Sequence, residues 1–134
     1  MKKTYPGSCH CGNVQFEIDA DLDHVRVCDC SMCRRRGALL YRVEESSFRL
    51  LSALSGLTVY QWHTKTAKDY FCPTCGIQPF RRPRTAPHQW SVNVRCLEGV
   101  DSPRFRLRIP TVVALIEVKS VQWQRINRRL KRAA

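Results

Sequence analysis

Seven of the eight cysteines fall into three tight groups, and this feature constrains the fold more than any other. The groups are Cys9 with Cys11, then Cys28 with Cys30 and Cys33, and finally Cys72 with Cys75. Thiolates two or three residues apart can reach one soft cation from a single turn of chain, and zinc prefers such ligands, at about 2.3 Å per sulfur. We therefore expect the chain to fold around metal-binding turns.

The number of sulfurs in each group predicts two kinds of metal site. The first and last pairs together make one closed four-sulfur site, which is typical of structural zinc. The middle group has three sulfurs, which leaves a position free for water or a substrate and so favours chemistry. Two alternatives stay open from spacing alone: the middle group completes one of the pairs, or His10, His24 or His63 supplies it with a fourth ligand. An iron centre is a weaker alternative.

Length and composition predict one domain that keeps its thiols reduced. A chain of 134 residues buries roughly two thirds of its unfolded surface, enough for a hydrophobic core. No apolar run reaches the roughly 18 residues that span a bilayer, and no apolar stretch follows Lys2 and Lys3 as in a secretory signal. We therefore expect a cytoplasmic location, where cysteine clusters hold metal. The alternative is a disulfide framework, in which a Cys9–Cys11 bond would be strained.

The chain is strongly basic, and the charge is concentrated at one end. Its formal net charge is +12, and residues 101–134 contain nine lysines or arginines against only Asp101 and Glu117. Such a segment suits anionic partners, including nucleic acid. The alternative is a solvated, solubilising surface, because aromatic residues are not interleaved with the basic ones in a stacking pattern. No membrane partner is expected.

Alternating apolar and polar residues predict a mainly β chain of short strands. A turn or one helical turn is expected at 44–48, and Trp123, Ile126 and Leu130 have helical spacing. We interpret Trp62, Trp90 and Trp123 as core residues, and Cys96 as a buried thiol on the apolar side of its strand. The predicted strands cover residues 14–19, 38–43, 57–62, 90–96, 104–109 and 112–118, and residues 68–71 lead into the turn at Cys72–Cys75.

Three consecutive arginines follow the middle cysteine group, at Arg34, Arg35 and Arg36. Guanidinium groups stabilise thiolates and bind carboxylates through two parallel hydrogen bonds. They therefore suit a substrate that has carboxylates and places its own sulfur beside the metal. The alternative is that they balance the charge of an anionic metal site. A second basic cluster lies at 81–84, just past the last cysteine pair.

Four motifs occur in an order that resembles one known family. From about residue 5 to about residue 101 the chain is similar to the glutathione-dependent formaldehyde-activating enzymes, a family that also includes centromere protein V. The motifs are Gly7-Ser8-Cys9-His10-Cys11-Gly12, Cys28-x-Cys30-Ser31-x-Cys33-Arg34, Phe71-Cys72-x-x-Cys75-Gly76-Ile77 and Val92-Asn93-Val94-Arg95-Cys96-Leu97.

The resemblance implies a β-tent fold of short antiparallel strands with two zincs. The structural zinc would lie on Cys9, Cys11, Cys72 and Cys75, and the catalytic zinc on Cys28, Cys30 and Cys33. The implied activity is a carbon–sulfur lyase type: formation of S-hydroxymethylglutathione from glutathione and formaldehyde, or of a related thiol adduct. We expect Arg34 or Arg35 to hold a substrate carboxylate.

This chain departs from the family pattern in two places. Many relatives have His where this chain has Gln78, so no role is carried over to that side chain. The basic segment 102–134 differs from the family's usual ending. Two further functions therefore stay open: a zinc-stabilised module that binds nucleic acid or chromatin, and a glutathione carrier without turnover.

Overall fold

The structure, a computed structural model, describes residues 1–28 and 30–100, and the backbone of 107–108. This part of the chain forms ten β-strands and one short α-helix, with 3-10 turns at Glu45–Ser47, Leu54–Gly56 and Val94–Cys96. The elements are β1 (Lys3–Ser8), β2 (Gln15–Ala20), β3 (Val25–Arg26), α1 (Cys33–Arg36), β4 (Leu40–Val43), β5 (Phe48–Leu50), β6 (Thr58–Tyr60), β7 (Lys68–Phe71), β8 (Phe80–Arg82), β9 (Trp90–Asn93) and β10 (Leu107–Arg108).

The strands form two sheets. The smaller sheet has the order β1-β2-β5 and is antiparallel throughout. The larger sheet has the order β10-β3-β4-β9-β8-β7-β6, and only the β10–β3 pair among its described strands is parallel. A bridge between Gly7 and Leu97 connects β1 to the turn after β9. The mainly β, antiparallel fold predicted from the sequence is confirmed.

Aromatic residues from both sheets form the core. Phe16 of β2 is completely buried and meets Phe80 of β8 edge to face, with ring centroids 5.4 Å apart. Phe48 of β5 stacks on Trp90 of β9 at 4.5 Å. Such pairs stabilise a fold beyond the burial of their area. The alternation predicted over 14–19 is confirmed, because Phe16 and Ile18 point into this core and their neighbours do not.

The middle of the larger sheet has two chemically different faces. Tyr70, Phe80 and Val92 are aligned across β7, β8 and β9 and are buried in the aromatic core. Asp69 and Arg81 are paired one position away on the same strands. Because successive side chains of a strand point to opposite faces, these two polar residues lie on the other face, toward α1.

Two local predictions are wrong. The strand predicted over 90–96 ends at Asn93, because the Asn93 side chain accepts a hydrogen bond from the Arg95 backbone N–H and caps a 3-10 turn. Cys96 therefore lies in that turn, half-buried against the core, rather than on a strand. Trp62 is not a core residue: it is 51% exposed, in the loop after the edge strand β6.

The predictions for the basic end are tested only at β10, which lies within the strand predicted over 104–109. The strand at 112–118, the helical spacing of Trp123, Ile126 and Leu130, and the core position of Trp123 lie outside the described residues. Nucleic-acid binding through this segment stays a prediction. Of the helices in the described part of the chain, none has the length and hydropathy needed to cross a bilayer.

Candidate metal centres and active site

The four cysteines of the first and last pairs meet in one group. The Sγ atoms of Cys9, Cys11, Cys72 and Cys75 all lie within 4.8 Å of one another. Cys11 Sγ is 3.6 Å from both Cys9 Sγ and Cys72 Sγ. Four sulfurs arranged tetrahedrally at zinc–sulfur distances of about 2.3 Å would be about 3.8 Å apart. The donor set and its spacing therefore fit a closed zinc site.

Two tight turns shape this group. In each turn the backbone N–H of a glycine donates a hydrogen bond to a cysteine carbonyl: Gly12 to Cys9 at 3.2 Å, and Gly76 to Cys72 at 2.8 Å. Both glycines have positive φ, +82° and +76°, which favours glycine over other residues. The backbone N–H groups of Cys11 and Ile77 lower the pKa of the Cys75 thiol to about 6. The backbone thus favours a thiolate, the form that binds metal.

The second group consists of Cys28, Cys30 and Cys33, whose Sγ atoms also lie within 4.8 Å of one another. Cys28 follows β3, and Cys33 is the first residue of α1. The backbone N–H of Cys33 donates to Cys30 Sγ at 3.3 Å. Cys33 is buried, Cys28 is half-buried and Cys30 is exposed. The group therefore faces solvent on one side.

Among the described residues, no fourth His, Cys, Asp or Glu donor joins this trio. His24, a candidate from the sequence, instead donates from Nδ1 to Asp23 Oδ1 at 2.6 Å. His10 and His63 are exposed and belong to neither group. Within the described part of the chain, three thiols thus converge with no further protein donor, which fits a metal centre that keeps a position for a ligand.

A half-buried arginine contacts the trio from the larger sheet. Arg81 donates from Nη1 to Cys33 Sγ at 3.0 Å, and its Nε lies 2.7 Å from Asp69 Oδ1. Burial raises the pKa of the Cys33 thiol to about 12, against the opposing charge of Arg81. A buried thiol of this kind ionises only when a cation compensates it. Arg81 supplies one such cation, and a metal would supply another.

The three arginines of α1 have different surroundings. Arg34 and Arg35 are exposed, and Arg35 donates from Nη1 to the Ser31 carbonyl at 2.7 Å. Arg36 turns toward the sheet, where its Nη1 lies 3.3 Å from Asp69 Oδ1. Both Arg34 and Arg35 can thus be reached by a ligand from solvent, although one nitrogen of Arg35 is already paired, while Arg36 is held against Asp69.

A cavity of about 430 Å³ lies beside Arg36. Its polar lining includes Gln78 and Asn93, and its apolar lining includes Phe71 and Ile77. Gln78 donates from Nε2 to Asp69 Oδ1 at 3.2 Å, whereas its Oε1 is buried without a hydrogen-bond partner among the described residues. The cavity therefore combines a cation, amide groups and an apolar wall, which suits a small peptide-like ligand.

Sequence reasoning did not find the Asp69–Arg81–Cys33 connection. The sequence places Arg81 in a basic cluster without indicating a partner, and Cys33 lies 48 residues away from it. One signal was present: Asp69 comes directly before Tyr70 and Phe71, aromatic residues that favour a strand, where aspartate is disfavoured. An acidic residue at such a position needs partners, but the sequence does not say which.

Residues 4–109 match the family model of the glutathione-dependent formaldehyde-activating enzyme. The chain belongs to this family, whose named activity is of the carbon–sulfur lyase type, so the expected family and enzyme class are confirmed. The match extends past Asp101, where the sequence resemblance was expected to end. A crystal structure of a protein from Rhodobacter sphaeroides is similar to this chain, with a TM-score of 0.70 and 40% identity over 77% of this chain and 99% of that one.

Proposed function

We propose that the protein joins glutathione, or a similar thiol, to formaldehyde at the Cys28–Cys30–Cys33 centre. The observation that carries this proposal is the unequal number of sulfurs: one group has four, and the other has three with no further donor among the described residues. Family membership supports the substrates. In this proposal zinc occupies both groups, and the four-cysteine zinc is structural.

The reaction is an addition that needs no oxidant or reductant. A new sulfur–carbon bond forms, the carbon–oxygen π bond of formaldehyde breaks, and the thiol proton ends on the oxygen. Zinc bound by the trio would supply Lewis acidity, which lowers the pKa of a thiol and polarises a carbonyl. The same centre would accelerate the reverse reaction, which is the lyase direction.

The chain's own residues bind and orient the substrate in this proposal. Arg34 and Arg35 are exposed beside the trio and would hold a carboxylate of the thiol peptide. The cavity next to Arg36 would receive part of the peptide backbone, with Oε1 of the Gln78 side chain as its hydrogen-bond acceptor. Fixing the peptide in this way brings its thiol to the centre in one orientation, which favours addition over random encounter.

The test is exchange NMR on glutathione with labelled formaldehyde, because the reaction also proceeds without a catalyst. We expect the wild-type protein to accelerate exchange between formaldehyde and its adduct, and Cys30→Ser to remove the acceleration. Cys96→Ser is the matched control, since Cys96 belongs to neither cysteine group, and it should behave as wild type. Exchange no faster than in buffer would refute the enzyme, and glutathione binding without acceleration would establish a carrier instead.

A further inference from the structure

Asp69 and Arg81 form a connection from the sheet to the trio that the proposed reaction does not use. We propose that they are positioning residues: Asp69 holds the guanidinium of Arg81 against Cys33 Sγ, and this hydrogen bond stabilises the sulfur as a metal ligand. The inference rests on the proposed function to the extent that a metal occupies the trio.

The geometry fixes the guanidinium in place. Asp69 is 1% exposed, and Arg36, Arg81 and Gln78 all approach its Oδ1, at 3.3, 2.7 and 3.2 Å. The Arg81 side chain is 12% exposed. With Nε against the carboxylate, Nη1 of the same planar group reaches Cys33 Sγ at 3.0 Å. A planar guanidinium held at one edge presents its other nitrogens in a fixed direction.

The charges of the cluster agree with a metal-loaded trio. Two guanidinium groups and one carboxylate leave a net positive charge around Asp69. Arg42 adds to it, because it is close enough to interact with both Arg81 and Cys28. Three thiolates with one divalent cation would carry one negative charge, which positive charge on the protein side of the trio stabilises.

An ion pair that only connected α1 to the sheet would not need the contact between Arg81 and Cys33 Sγ. Arg36 alone already joins α1 to Asp69 on β7. The additional feature of Arg81 is the donation to sulfur. Hydrogen bonds to thiolate ligands reduce the electron density that the sulfur gives to the metal, and outer partners of this kind change metal affinity by about 10–100-fold.

The test compares Arg81→Met with Arg84→Met in the full chain, using zinc and cobalt alone as probes. Arg84 is exposed three residues further on and serves as the matched control. We expect R81M to lower the affinity of the trio for zinc about 10–100-fold and to leave the four-cysteine site unchanged. We also expect its cobalt–thiolate charge-transfer band to move to longer wavelength, which a purely structural role would not produce.

Arg81→Lys is measured alongside, in case R81M does not fold. Lysine keeps the charge beside Asp69, but its single nitrogen cannot span Asp69 and Cys33 at once, so a smaller shift of the same band is expected. Unchanged affinity and an unmoved band in the folded variants would overturn the inference alone. A wild-type chain that binds only one metal would overturn the proposed open centre together with this inference.

Discussion

Replacing Cys72 by Ser should destabilise the protein far more than replacing Cys30 by Ser. Cys72 closes the four-cysteine group with a partner 61 residues away in Cys11. Treated as a cross-link of that length, the bond removes about 4 kcal/mol of chain entropy from the unfolded state. The trio closes loops of only a few residues, for which the same relation gives less than about 2 kcal/mol.

The assay is urea unfolding of the zinc-loaded proteins, followed by circular dichroism. Where C72S releases its zinc, we expect it to lose about 4 kcal/mol or more of unfolding free energy, because Cys9, Cys11 and Cys75 then no longer close the long loop. This is a large share of the 5–15 kcal/mol that holds a typical domain together. We expect C30S to stay within about 2 kcal/mol of wild type. In excess chelator the gap between wild type and C72S should narrow to the packing cost of the buried serine, because both proteins then lack the metal.

The measurement in excess chelator separates the contribution of the metal to stability from that of side-chain packing. Cys72 is completely buried, so serine there also leaves a polar group in the core. That packing cost persists without metal, whereas the cross-link does not. Equal urea midpoints for C72S and C30S in the zinc-loaded state, or a gap that chelator leaves unchanged, would refute the assignment of the closed site as the structural one.

Two further predictions concern the core and use the same unfolding measurement. Gly7→Ala should lower the free energy of unfolding by about 1–3 kcal/mol. The reason is that a Cβ there would lie 2.4 Å from Cζ of the Phe16 ring, which is fixed in the aromatic core. Gly56→Ala is the control and should cost little, because the space around Gly56 is open. An unchanged midpoint for G7A would contradict this reasoning. Trp90→Ala should cost about 3–5 kcal/mol, whereas Trp62→Ala should stay within about 0.5 kcal/mol, since Trp62 is exposed; equal losses would contradict the burial assignment.

Sequence patterns predicted the strands wherever alternation was undisturbed. The spacing of Phe16 and Ile18 was enough to place β2. The first strand was not predicted, because Pro6 and Gly7 disfavour strand by propensity; β1 is nevertheless an edge strand, where proline is tolerated. The end of β9 was missed because a single hydrogen bond, donated by the Arg95 backbone N–H to the Asn93 side chain, decides it.

The two cysteine groups of the candidate site were predictable from the sequence, but their surroundings were not. Close spacing along the chain marks cysteines that can share a cation, so both groups were found from the sequence alone. The contact of Arg81 with Cys33 joins elements 48 residues apart, and no local pattern encodes such a distance. The roles of Arg34 and Arg35 stay a prediction, since the structure shows only that both are exposed.

The cysteine trio and the aromatic core both depend on the register between β7 and β8, because one face of these strands is turned to the trio and the other to the core. Moving β7 by one residue against β8 would bring Tyr70 to the cysteine side and send Asp69 among the aromatic rings. A chain mispaired in this way would lose its hydrophobic interior and its guanidinium contact together. Variants that loosen this alignment should therefore lose metal retention and folding in parallel, which would make metal content a convenient indicator of correctly folded protein during purification.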